Sequence, residues 1–157
     1  MPLVVAVVVL EADLMLNCTR LPNWRDKLTD EISRVSEDCF LWGTNDCFQF
    51  IANCIESYTG HDITNGSRGS YTTPLGGIKQ LLKLGGCHQL KEYLDTLFPL
   101  DHIAFAKPGD VVFKNSNQDG YDAILGICYG QISFFILEEG GLTKFQTLQL
   151  DGCWKVI

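Results

Sequence analysis

The chain reads as an α+β domain in which N-terminal helices pack on a C-terminal antiparallel sheet or partial barrel. Two observations predict this. Between residues 24 and 98 the apolar residues recur at steps of three and four, the period of a half-buried helix. From Asp110 onward they fall in short β-rich runs separated by glycine turns. Helices first and strands after, rather than in alternation, mark the α+β class. The 157 residues suffice for one domain with a sizeable core, and no repeat or linker divides them.

The run from Met1 to Leu10 is apolar enough to suggest an export signal. No basic residue precedes it, it is too short to cross a bilayer, and Glu11 and Asp13 follow at once. Its β-branched content suits a strand, and residues 1–19 are read as a Val-rich N-terminal extension to a domain covering 20–157. Pro22 and Asn23 start a helix with Trp24, Leu28, Ile32 and Val35 on one face. A second helix carries Cys47, Phe50, Ile51, Cys54, Ile55 and Tyr58 as its buried stripe, with Thr44 or Asn45 as cap and Thr59-Gly60 as its end. The loop from His61 to Tyr71 is dense in turn formers. Thr73-Pro74 opens a third helix that Gly85-Gly86 closes, and Leu90 to Phe98 forms a short fourth. Strands are expected over 110–114, 123–129, 132–137 and 142–150 as a meander, with 153–157 as a last short one.

Charge and cysteine usage narrow the partners. A net charge of −7 and a pI near 4.8 leave no basic cluster to neutralise phosphates, so neither nucleic acid nor membrane insertion is expected. Seven cysteines, an odd number with no Cys-x-x-Cys, disfavour both a disulfide framework and a zinc site. No metal or cofactor is expected, and a reducing site of synthesis fits best.

The segment Phe40-Leu41-Trp42-Gly43-Thr44-Asn45-Asp46-Cys47 carries the chemistry. It puts Cys47 in the first turn of an apolar-striped helix, where unpaired backbone N–H groups and the helix dipole favour a thiolate. Cys47 is therefore the candidate nucleophile, and a small buried hydrophobe is the plain alternative. Asp46 reads as a charge at the helix start.

Several spaced motifs resemble known families. Asp46-Cys47, Gly109-Asp110-Val111-Val112-Phe113 and Leu125-Gly126-Ile127-Cys128-Tyr129-Gly130 follow the order of papain-like cell-wall peptidases of the NlpC type. A closer likeness covers Arg20 to the C-terminus. Leu21-Pro22-Asn23-Trp24-Arg25, Trp42-Gly43-x-x-Asp46-Cys47, Arg68-Gly69-Ser70-Tyr71-Thr72-Thr73, Leu125-Gly126-Ile127 and Trp154-Lys155-Val156 resemble a small family encoded with siphophage and prophage tail-tip genes. The resemblance implies a cysteine-peptidase-like scaffold acting among tail-tip or baseplate proteins, located in the virion after synthesis in the host cytoplasm.

For catalysis the resemblance implies thiolate attack on peptidoglycan stem peptides, with a histidine base and a third polar residue. This chain departs from that pattern. Ile124 occupies the histidine position, Phe40 stands where a tyrosine is usual, and only Ser133 offers a third polar group. His102 or His88 could supply the base from a loop, whereas His61 lies beyond the far end of the Cys47 helix. Trp42, Asp46, Arg68, Tyr71, Asp122 and Ile124 are expected to line the cleft, Arg68 either holding a substrate carboxylate or tying its loop to the body through backbone carbonyls. The favoured reading is a catalytically degenerate structural component of a tail tip. The alternative is an active stem-peptide hydrolase.

Overall fold

A computed structural model describes Leu16 and residues 18–156; the Val-rich stretch at 1–10 lies outside the described residues. Among the described residues four helices come first: α1 (Trp24–Val35), α2 (Cys47–Thr59), α3 (Pro74–Gly85) and α4 (Leu90–Leu97). Their starts and ends follow local chemistry. Thr73 caps α3, its hydroxyl accepting from Gly76 N–H, with Pro74 at the first position, and Gly86 closes it at φ 68°. The cap of α2 is Asp46 rather than Thr44 or Asn45, its Oδ1 accepting from Gln49 N–H at 2.8 Å. The α2 helix is central: Phe50, Ile51, Ala52, Cys54, Ile55 and Tyr58 are all fully buried.

Six strands follow: β1 (Leu100–Asp101), β2 (Val111–Asn115), β3 (Ala123–Cys128), β4 (Ile132–Leu137), β5 (Gly141–Gln146) and β6 (Gly152–Trp154). They form one antiparallel sheet in the order β1-β6-β2-β3-β4-β5. The expected meander β2 to β5 is present. The strand expected over 142–150 is shorter, because the chain turns through a 3-10 helix at Thr147–Gln149. Thr147 drives that turn, with its N–H on Gln131 O and its hydroxyl on Gly130 O at 2.7 Å. The two exposed residues of β1 carry no readable period, so sequence reasoning missed that strand.

Alternation splits the sheet into two faces. Val111, Phe113, Ala123, Leu125, Ile127 and Trp154 join the helices in the main core. Val112, Cys128, Phe135 and Cys153 form a smaller cluster on the outer face with Ile103 and Leu150.

A buried ion cluster locks the termini of the described chain together. Asp110 is 1% exposed and meets Lys155 Nζ at 2.5 Å and Arg20 at 3.6 Å. It also accepts the N–H groups of Lys107 and Val156. Arg20 donates to Val156 O and Pro108 O and lies over the Trp24 ring. Three of the spaced motifs thus meet in one structural clasp.

Candidate functional site

Cys47 is the first residue of α2 and is half-buried. It sits where the sheet splits. The β3–β4 ladder runs only from Gly126↔Phe135 to Cys128↔Ser133, although β2 stays paired with β3 as far as Ala123 and β5 with β4 as far as Leu137. The divergence opens a cleft of about 510 Å³ lined by Cys47, Trp42, Tyr121, Ala123, Ile124 and Leu137, among others. Trp42 forms its aromatic wall. Its ring stacks on Tyr121 at 5.7 Å, meets Phe40 edge-on at 5.0 Å, and its indole N–H donates to Glu138 Oε1 at 3.0 Å.

Behind Cys47 lies a buried polar group. Asp46 Oδ2 accepts from Gly43 N–H at 2.9 Å and from the Tyr71 hydroxyl at 2.6 Å, and Gln49 Nε2 donates to the same hydroxyl. Burial raises the Asp46 carboxyl above its usual range, and the Gln49, Tyr71 and Gly43 donors pull it back in part. The Cys47 thiol is pushed up to about 12, first by burial and then by the Asp46 carboxylate; the Leu125 N–H acts the other way. The helix N-terminus is present, but burial and a neighbouring anion outweigh it.

The histidines do not reach this thiol. His102 is exposed, and its Nδ1 accepts from Ala104 N–H at 3.1 Å to start a 3-10 turn that packs on the outer face. His88 is exposed in the turn before α4, its backbone N–H held by Glu92. His61 follows the far end of α2. Among the described residues no histidine lines the cleft.

The family comparison now bears on this arrangement. Residues 19–156 match the family described as "Domain of unknown function (DUF6950)". The chain belongs to that family. No curated protein matches it. Among solved structures it is similar to the NlpC/p60 domain of the peptidoglycan hydrolase SagA, with a TM-score of 0.54 and 16% identity over 83% of this chain and 97% of that one. The likeness establishes an NlpC/p60-type, papain-like fold for this DUF6950 domain.

Within that fold, Trp42, Asp46 and Tyr71 gather at Cys47. Arg68 does not. It faces the other side of α2, where it binds Asn53, Glu56 and Asp62, and so ties its loop to the body through side chains. Asp122 is also corrected: it lies against the start of α4, with Oδ1 near Lys91 N–H at 3.4 Å, and Gln89 holds its own N–H. Ser133 is buried on the outer face against Thr147 and contributes nothing to the cleft.

Ile124 is corrected as well. It borders the cleft but packs with the outer-face cluster, whereas Cys47 packs against the helix-side core, so its side chain does not face the thiol and it does not stand where a catalytic histidine would. The β3 residues turned toward the Cys47 side are Ala123 and Leu125. Sequence reasoning missed Tyr121 and Glu138. The signal for Tyr121 was the Gly76-Gly77 pair inside a helix, which marks a close approach. A Cβ on Gly77 would stand 2.1 Å from the Tyr121 hydroxyl.

Proposed function

We propose that this DUF6950 domain is a non-hydrolytic papain-like module serving as a structural or assembly component of a phage tail tip. One observation carries the first half: the thiol lies beside the Asp46 carboxylate and shares its cleft with no imidazole among the described residues. Burial and that anion both favour the protonated thiol, the opposite of the activated state of a cysteine peptidase. The tail-tip assignment is supported by the likeness of the spaced motifs to that family. A scaffold role agrees with what Lys155 of the terminal motif does, since it pairs with the buried Asp110 beside Arg20.

Alkylation of Cys47 followed against pH tests the chemistry, in a variant whose other accessible thiols are replaced. Rates still climbing above pH 9 are expected. A plateau by pH 6 would demand an ion-pair partner and refute the reading. Mass spectrometry of purified, DNA-filled particles tests the location: the chain should be detected with the tail-tip and baseplate proteins, and its absence would remove the virion role.

The second reading is an active stem-peptide hydrolase. It is favoured by the position of Cys47 at a helix start, beside the Leu125 N–H and open to a cleft. Release of amines from purified peptidoglycan, lost in Cys47→Ala, would establish it in place of the first.

A further inference from the structure

We propose that the cleft over Cys47 is a docking groove for an extended, lysine- or arginine-bearing segment of a partner protein. The inference rests on the non-hydrolytic reading, since a bound segment must survive there.

The backbone bounds the cleft. The ladder between β3 and β4 ends at Gly126↔Phe135, and Ala123 beyond it is fully buried, so a bound segment is held by side chains rather than by strand pairing.

Side chains decide the occupant. Ile124 and Leu137 give the floor an apolar character, and Phe40, Trp42 and Tyr121 form one aromatic wall. The rim is acidic: Asp119, Glu138 and Glu139 are exposed there, against Lys114 as the one cation lining the cleft, whose ammonium lies 6.0 Å from the Phe145 ring. An extended segment laid along the cleft points alternate side chains down to the apolar floor and up to the carboxylates. The charge complement is a segment in which apolar and basic residues alternate.

The test uses the whole chain and a short fluorescent peptide alternating valine and lysine, with a valine–glutamate counterpart. Saturable binding of the lysine peptide alone is expected, with a change in Trp42 fluorescence. The double variant Glu138→Gln, Glu139→Gln should weaken it about tenfold, the glutamine oxygen still accepting from Trp42. Asp26→Asn, Asp30→Asn changes net charge equally at two exposed α1 positions remote from the cleft and should leave binding within about twofold. Equal losses in the two double variants, or equal binding of the glutamate peptide, would overturn the groove and leave only general attraction to an acidic protein. Cleavage of the bound peptide would instead refute the non-hydrolytic reading while leaving the groove in place.

Discussion

The Tyr71 hydroxyl donates to Asp46 Oδ2 at 2.6 Å across 25 residues of chain, and this bond joins the loop before α3 to the cap of α2. Asp46 has three roles at once. It caps the helix, holds Gly43 N–H so that the Trp42 turn is fixed, and places an anion beside the Cys47 thiol. The third role opposes nucleophile activation, and the first two explain why a carboxylate is nevertheless built there.

Tyr71→Phe is expected to cost about 1–2 kcal/mol, because two buried groups lose a partner. It also removes a donor that favours the Asp46 anion, so the carboxyl should titrate higher still. The sign follows from linkage. A carboxyl raised by folding adds stability that is full below its unfolded pKa near 3.9 and is lost as pH rises through the folded value. Urea midpoints measured from pH 3 upward should therefore show a decline assignable to Asp46, steeper in Tyr71→Phe and absent from Asp46→Asn. A flat difference between the parent and Asp46→Asn would show that the carboxyl is not raised.

Two glycines separate collision from strain. Gly43 and Gly60 both have left-handed backbones, at φ 87° and 81°. A Cβ on Gly43 would lie 1.9 Å from the Tyr71 carbonyl oxygen, whereas on Gly60 it meets nothing within 4 Å. Gly60→Ala should cost about 1 kcal/mol, the left-handed penalty alone. Gly43→Ala should cost more than about 3 kcal/mol, since backbone cannot yield as a flexible side chain does. Thermal melts of the pair give the comparison, and similar losses would mean that the Tyr71 backbone shifts freely.

Much of this fold was legible in the sequence, and the misses have physical causes. The helices over 24–35, 47–59, 74–85 and 90–97 announce themselves by period and by Pro, Thr and Gly at their ends. Cys47 at a helix start was readable for the same reason. Arg68 and Asp122 were misplaced because a charged residue in a polar loop has several partners within reach, and only the fold decides among Asn53, Glu56, Asp62 and the start of α4. The split of β3 from β4 was invisible. Both strands stay continuously apolar through the region where their ladder stops.

The Arg20–Asp110–Lys155 cluster should matter to stability rather than to any reaction. Asp110→Ala leaves two cations part-buried and two backbone N–H groups without an acceptor, so a loss of about 3–5 kcal/mol is expected. Arg20→Lys should cost less, yet still measurably, since one ammonium cannot reach both Val156 O and Pro108 O while lying over Trp24. Denaturant unfolding of both variants checks the order, and an Asp110→Ala protein as stable as the parent would show the cluster to be surplus.

Ile124 and Cys47 lie on opposite faces of the sheet and meet only at the edge of the cleft where β3 and β4 part. Alternation along β3 holds residue 124 with the outer-face cluster, so Ile124→His is expected to keep its imidazole there and to form no ion pair with the thiol. Alkylation of Cys47 in Ile124→His should then follow the same pH profile as in Ile124→Asn, the rate still climbing above pH 9. A profile that reaches its plateau near pH 7 in the histidine variant alone would show that residue 124 reaches the thiol through the gap, and that a missing base at this position is what silences Cys47.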